Sequence, residues 1–302
     1  MSAGKLPASF VRNVTGAFPD GARWLENLPG LLAASLQMWD LELDGEVFEL
    51  SFNYVVPVLQ NERFAAVLKL GVPSPEFAAE VRALRAFQTH GAVRLLAGDE
   101  RLGALLLDRV TPGTTLAALH DEALAAEIAA RTMMNLGQAR AVDGAFRSLE
   151  SWTAGLSALR VRFSGGTGPL DSVLVDTAEN LRAELLQGEP PSRLLHGDLH
   201  HFNILEGSAS GWVAIDPKGV IGDPAYEPAS FLLNPDPAVF LDRSMQQARI
   251  DIFAEPLKMD PQRIARWAFV QAVLGAWWTI EDGGVDWGAS MSAAGVLLSL
   301  VK

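Results

Sequence analysis

A change of texture near residues 109–114 limits the fold of this chain more than any other feature. Ahead of it, LELDGEVFELSFNYVVPVLQNERFAAVLKLGV at 41–72 carries Val47, Leu50 and Phe52, then YVVPV, then FAAVLKL, with DG and NE as turn signals. VRLLAGD and RLGALLLDRV at 93–110 are again strand-like. TPG at 111–113 breaks the pattern, and from Thr115 to about 162 the sequence is alanine-rich and helical. Two units are expected. The first, 1–108, holds a small antiparallel sheet, the second, 109–302, is mainly helical, and the hinge falls at about 109–114.

One helix interrupts the first unit. Ser74 suits a cap and Pro75 a first turn, while Phe77, Val81, Leu84 and Phe87 form an apolar stripe ending near Gly91. At 20–39, Trp24, Leu28, Leu32, Leu36 and Trp39 recur at near-helical spacing, but Pro29 predicts two short helices rather than one. In the second unit FSGGTGPL at 163–170 is a loop, and a helix over 171–187 ends before GEPPS. A tryptophan-rich apolar helix covers 264–280, with Trp267, Trp277 and Trp278 expected in the core.

Charge narrows the partners. With 24 Lys and Arg against 36 Asp and Glu, the net charge of −12 argues against nucleic acid or anionic membrane and favours a cationic or metal-chelated small ligand. Cysteine is absent, which removes disulfides, thiolate nucleophiles and thiolate metal sites. MSAGKLPASFVRNVTG lacks the apolar core of a signal peptide, and no run approaches the roughly 20 residues that span a bilayer. A cytoplasmic location is the expectation.

LLHGDLHHFNIL at 194–205 concentrates the chemistry. It holds His196, His200 and His201, three of the five histidines, beside Asp198 and Asn203. Three readings compete: a metal cluster, a phosphate-transfer loop, or a polar turn in which the histidines bond backbone groups. Without cysteine the metal cluster is incomplete. The phosphate-transfer reading accounts for more residues, because in H-R-D-L-x-x-x-N an Asp accepts the acceptor hydroxyl's proton and an Asn five positions on holds Mg²⁺. Asp198 and Asn203 have that spacing, and Asp216, which closes WVAID after a hairpin-length gap, supplies a further carboxylate. Three oxygen ligands on one loop and strand pair suit a hard cation.

The order of residues upstream agrees. VLKLG puts Lys69 on a strand, and Glu80 lies beside the apolar stripe of the next helix, from which it can reach the lysine. A strand lysine held by a helix glutamate, with the lysine on the ATP phosphates, is the other half of such a site. Residues 109–110, Arg109 and Val110, fall where backbone groups can pair with adenine. There is no G-x-G-x-x-G over the phosphates, so SFNYVV at 51–56 must serve, through backbone amides with Ser51 and Asn53.

With these residues in order, the chain resembles the aminoglycoside phosphotransferases, which share the two-lobed protein-kinase-like fold. His196-Gly197-Asp198 stands where protein kinases have HRD. IDPKGVIGDPAYEPASFLLNP at 215–235, with Asp216-Pro217-Lys218-Gly219 in place of the more usual D-x-G, and WWTIEDG at 277–283 are similar to the streptomycin 6-phosphotransferase and hydroxyurea phosphotransferase branch. The resemblance spans roughly 20–290. It implies ATP and Mg²⁺ as cofactors, Asp198 as catalytic base, Asn203 and Asp216 as Mg²⁺ ligands, and Lys69 with Glu80 as the phosphate-gripping pair. It also implies a small cationic acceptor, with streptomycin or a related aminoglycoside foremost.

Carboxylates are natural partners for guanidinium groups, which makes Asp236, Glu281, Asp282 and Asp286 acceptor-site candidates; a solvated acidic helix end is the competing reading for each. Asp223, before Pro224, is expected to cap a helix or brace the catalytic loop. Two alternative functions stay open at this point. One is a metabolite kinase for an amino sugar or other hydroxyl; the other is a catalytically silent nucleotide-binding module.

Overall fold

The computed structural model describes residues 6–140, 146–187, 192–208 and 211–301. The N-terminal lobe begins with two helices, α1 (Ala8–Ala17) and α2 (Gly21–Met38). Then follow β1 (Leu41–Leu43), β2 (Tyr54–Gln60), β3 (Phe64–Leu70), helix α3 (Pro75–Phe87), β4 (Leu95–Asp99) and β5 (Ala104–Asp108). The five strands form one antiparallel sheet in the order β1-β2-β3-β5-β4.

Strand parity decides what each face of this sheet does, because alternate side chains leave a strand on opposite sides. Ala66, Leu68 and Leu70 of β3, with Ala104 and Leu106 of β5, pack toward Phe10, Val14, Trp24 and Leu28 of the first two helices. Val67, Leu105 and Leu107 take the other face, against Phe77, Val81 and Leu84 of α3. Lys69 therefore emerges on the α3 side. Ser74 starts α3 by accepting from the Phe77 N–H at 3.1 Å.

Pro29 does not split α2. A proline inside a helix costs about 3 kcal/mol through its missing N–H and ring clash. Trp24 and Leu28, 5% and 2% exposed on one face, contribute about 1.5–3 kcal/mol each on burial, enough to offset it. The expected strand character of 47–52 also fails: residues 44–53 form the β1–β2 connection, tied back by the Phe48 N–H to the Val55 carbonyl at 3.0 Å.

The C-terminal lobe contains β6 (Pro112–Thr115), α4 (Glu122–Leu136), β7 (Arg147–Ser148), α5 (Leu149–Trp152), α6 (Gly155–Arg162) and α7 (Ser172–Gln187). Four short strands follow, β8 (Arg193–Leu195), β9 (Ile204–Gly207), β10 (Gly211–Ala214) and β11 (Val220–Gly222). The chain then turns helical, with α8 (Ala229–Leu232), α9 (Pro237–Phe240), α10 (Arg243–Leu257), α11 (Pro261–Glu281) and α12 (Gly288–Leu298). Helix α11 runs through the centre of this lobe, with Trp267 and Phe269 fully buried. Trp277 is buried, whereas Trp278 is only partly covered and packs edge-on to Trp152.

Asp223 caps the turn before Tyr226 by accepting from the Ala225 N–H. Its other oxygen accepts from Arg263 and Trp267, so it braces α11 rather than the catalytic loop. Two backbone bonds join the lobes: the Val93 N–H donates to the Ala214 carbonyl and the Ala214 N–H to the Gly91 carbonyl, both at 2.8 Å. Ala214 lies two residues before Asp216, so this bolt sets where that carboxylate stands against the N-terminal sheet. No helix among the described residues is long and apolar enough to cross a membrane.

Candidate active site

Glu80 shares the α3 face of Phe77, Val81 and Leu84, an i, i+3, i+4, i+7 series, so the sequence puts a carboxylate on a buried stripe. Lys69 Nζ meets it at 2.7 Å and meets Asp216 Oδ1 at 3.0 Å. Burial opposes the lysine charge, yet Asp216 and Glu80 outweigh it and hold its pKa above the ordinary value. A lysine 2% exposed between two carboxylates is a fixed positive charge. Asp216 itself has φ +60°, in the left-handed region that aspartate tolerates better than most residues, and this bend ends the run from β10.

Asp198 sits in the loop after β8. Gly197 before it has φ +81°, and a Cβ there would press on Val220 at 3.0 Å, so the turn requires glycine. His196 is a brace: its Nε2 donates to the Ile215 carbonyl at 2.8 Å, and its Nδ1 accepts from the Asp198 N–H at 3.3 Å. Burial lowers its pKa to about 4, which keeps the ring neutral for that double role.

Asn203 donates from Nδ2 to the Asp198 carbonyl at 2.9 Å, and its own carbonyl accepts from the Ile215 N–H at 3.0 Å. Asn203 and Asp216 thus stand side by side at the mouth of the β9–β10 hairpin. Burial pushes the Asp198 carboxyl up, but Lys218, His200, His196 and the Ser230 hydroxyl outweigh it and hold it below the usual range. It is ionised at neutral pH.

Residues 38–283 match the family described as aminoglycoside/hydroxyurea antibiotic resistance kinase. The chain belongs to this family. It is 32% identical over 306 residues to a streptomycin 6-kinase of Streptomyces glaucescens, covering 99% of this chain and 98% of that one. It is 36% identical over 269 residues to a hydroxyurea phosphotransferase of Kitasatospora aureofaciens, covering 88% and 77%. Among solved structures, choline kinase LicA from Streptococcus pneumoniae superposes with a TM-score of 0.65 at 14% identity, over 90% of this chain and 99% of that one. That likeness is one of fold.

The protein is accordingly a phosphotransferase of the kinase-like fold. Its histidines do not form a metal cluster: among the described residues no group of three or more His, Cys, Asp or Glu is placed to hold an ion. His201 is fully buried, stacked on Phe231 with ring centroids 3.8 Å apart, and its Nε2 lies 3.1 Å from Arg249 Nη2. Arg249 pairs with Glu122 at 3.1 Å and donates to the Asn234 carbonyl at 2.7 Å. Burial and the Arg249 charge push His201 far down, so the ring is a neutral acceptor in the floor of the loop. His200 turns Nδ1 onto the Phe202 N–H at 3.2 Å and brings Nε2 to 3.3 Å from Asn203 Nδ2.

The other expected residues take varied positions. Asn53 lies against the bare Cα of Gly71, just beyond β3, and the Ser51 carbonyl accepts from Asn13 of α1 at 3.1 Å. The Arg109 guanidinium is directed into the N-terminal sheet, to Asp44 at 2.8 Å, the Val58 carbonyl at 3.1 Å and the Ala66 carbonyl at 3.3 Å. The backbone N–H groups of Arg109 and Val110 have no main-chain partner among the described residues. Asp236 caps α9 by accepting from the Ala238 N–H at 2.8 Å. Glu281 and Asp282 end α11, and both are exposed, as is Asp286.

Two residues escaped the sequence reading. Lys218 reaches Asp198 Oδ2 at 3.7 Å. Glu227, 8% exposed, accepts from the Gly197 N–H at 3.3 Å and so anchors the catalytic loop from below. DPAYEPA offered a carboxylate there, but nothing local marks it as facing a loop thirty residues earlier.

Burial raises the Glu227 carboxyl to about 8, against the pull of the Gly197 and His196 amides. A carboxyl whose folded pKa is raised stabilises fully below its ordinary value near 4.5, and that contribution is lost as pH rises through about 8. Glu227→Gln, which keeps the accepting oxygen and cannot ionise, is expected to flatten the fall of melting temperature across that window. A wild-type slope retained in the variant would show that Glu227 does not titrate there.

Proposed function

We propose that this kinase transfers the γ-phosphoryl group of ATP to a hydroxyl of streptomycin or a related aminoglycoside. The observation that carries the reading is the convergence of Lys69, Glu80 and Asp216 on one side and Asp198 and Asn203 on the other, from both lobes, at one cleft. Residues 1–108 form the nucleotide-binding lobe and 109–302 the catalytic and acceptor-binding lobe, with the hinge at 109–114 and its backbone at Arg109 and Val110 reading adenine. Ser51 and Asn53 of the β1–β2 connection cover the phosphates. Lys69, held by Glu80, grips them.

Asn203 and Asp216 fit a Mg²⁺ ion. The asparagine amide nitrogen is spent on the Asp198 carbonyl, which leaves its oxygen for a cation, and Lys69 occupies only Oδ1 of Asp216. One carboxylate and one amide oxygen, completed by substrate phosphates and water, is an ordinary Mg²⁺ donor set. Held by these two residues, the ion would supply positive charge to offset that of the nucleotide phosphates. Asp198 aligns the acceptor hydroxyl and takes its proton late in a loose transition state, so alignment and charge neutralisation are the protein's main tasks.

The acceptor contacts are drawn from the four carboxylates Asp236, Glu281, Asp282 and Asp286, all of them exposed. A guanidinium or ammonium group of the acceptor would supply the counter-charge. Asp236 already serves as the cap of α9. The names of the relatives, streptomycin 6-kinase and hydroxyurea phosphotransferase, support an antibiotic as acceptor.

A coupled ADP-release assay over streptomycin, other aminoglycosides, hydroxyurea and hexosamines tests this. Turnover with streptomycin at least tenfold above the others in kcat/KM is expected, about 1.4 kcal/mol of discrimination. Preference for a hexosamine would replace the reading with a metabolite kinase, and nucleotide binding without turnover on any acceptor would leave a silent module.

A further inference from the structure

We propose that Lys218 is a second phosphate-contacting lysine, which leaves its loose ion pair with Asp198 to hold the terminal phosphoryl oxygens of the nucleotide during transfer. The inference rests on the reading of Asp198 as the base and of the cleft as a nucleotide site.

The main chain at Lys218 is tightly fixed. Its N–H donates to the His196 carbonyl at 2.7 Å, and the Gly219 N–H reaches the same oxygen at 3.3 Å. Gly219 has φ +68°, and a Cβ there would meet Ala83 and the Phe146 ring at 3.0 Å. With Asp216 at φ +60° two residues earlier, the Asp216–Gly219 turn has little freedom. It presents Asp216 to Lys69 and Lys218 to Asp198, so the two lysines approach the cleft from opposite lobes.

Their side chains differ in the way this role needs. Lys69 is buried and engaged by two carboxylates at hydrogen-bond distance. Lys218 keeps 40% of its side chain exposed, and its ammonium stands 3.7 Å from Asp198 Oδ2, beyond a direct hydrogen bond. A compact, well-hydrated ammonium on a flexible stem, with no tight partner among the described residues, is free to follow an anion. The need is also present in the charge count: Glu80, Asp198 and Asp216 outnumber Lys69 at the cleft before any phosphate arrives.

In the transfer step the bond from the γ-phosphorus to the ADP oxygen breaks, its electron pair leaving with ADP, while the acceptor oxygen bonds to phosphorus. The hydroxyl proton passes to the Asp198 carboxylate. Lys218 exchanges no proton; its ammonium pairs with the equatorial phosphoryl oxygens and, by leaving Asp198, frees that carboxylate to meet the hydroxyl.

The chain has no cysteine, which permits a direct test. Lys218→Cys introduces the only thiol. Alkylation with 2-bromoethylamine restores an ammonium at nearly the lysine length, and alkylation with iodoacetamide adds a neutral group. Lys218→Cys is expected to lower kcat about 10²-fold, with most of the loss regained by the first reagent and none by the second. Calorimetry on Lys218→Met should show the affinity for a non-hydrolysable ATP analogue falling about tenfold while ADP affinity holds, the equivalent of one lost charged contact.

Equal effects of the two reagents, wild-type turnover in Lys218→Cys, or an unchanged ratio of analogue to ADP affinity would overturn the proposal. Melting temperatures close to wild type, expected for a part-exposed side chain, exclude unfolding as the cause. Asp198→Asn run in parallel separates the two readings: its full activity would remove the base assignment, whereas the analogue-to-ADP ratio reports on Lys218 alone.

Discussion

Asp198→Ala is expected to lower kcat by about 10³-fold while leaving affinity for MgATP close to wild type, measured by ADP release and by calorimetry. The two halves of this expectation come from different atoms. Loop shape depends on the Asp198 main chain, whose carbonyl accepts from Asn203 and whose N–H donates to His196. Alanine preserves both bonds. The carboxylate is what the variant removes, and its proposed place in the chemistry is to align a hydroxyl and receive its proton. Residual turnover should survive, because the variant leaves the proposed nucleotide contacts, Lys69 and the Asn203–Asp216 pair, untouched. Undiminished kcat would end the assignment of Asp198 as base, and a parallel collapse of nucleotide affinity would mean that its carboxylate serves the loop instead.

The second large effect is expected at Asp216. Asp216→Asn keeps the shape of the side chain and the tolerance of asparagine for a left-handed backbone, so it removes charge with little strain. Mg²⁺-dependent nucleotide affinity should fall about 10²-fold, while the weak metal-free binding of nucleotide should change much less. Lys69 retains Glu80 at 2.7 Å, which keeps the phosphate-facing lysine in place. Asp216→Ala should add about 1–2 kcal/mol of destabilisation from forcing alanine to φ +60°, visible as a lower melting temperature than Asp216→Asn. Wild-type MgATP affinity in the asparagine variant would refute the ligand role.

Both predictions concern residues that the sequence already singled out, and the physical basis of that legibility is local. Asp198 and Asn203 lie within one loop, where a fixed spacing becomes a fixed geometry. Lys69 was legible through strand parity and Glu80 through helical period: once β3 and α3 form, alternation and the i, i+3, i+4 series aim the two side chains at the same face. The cap at Ser74 is equally local.

Pro29 shows how local reasoning fails. Its helix-breaking effect is real, but burial of Trp24 and Leu28 against another helix and a sheet outweighs it, and that burial is not written in the 18 residues of α2. Arg109 was assigned to the hinge by position, and only the packed sheet shows its guanidinium committed to Asp44 and two strand carbonyls.

The same division runs through the cleft. Spacing and period, carried by contiguous residues, suffice to place Asp198 beside Asn203, Lys69 on its strand, Glu80 on the facing helix and Asp216 at the end of the hairpin. Three features needed the folded chain: Lys218 facing Asp198, Glu227 beneath the loop from thirty residues away, and His201 sealed against Arg249 and Glu122. Each depends on how segments distant in sequence come to lie against one another. That is set by the summed packing of the C-terminal lobe around α11 and by the Ala214 bolt between the lobes, and no short window of residues encodes it.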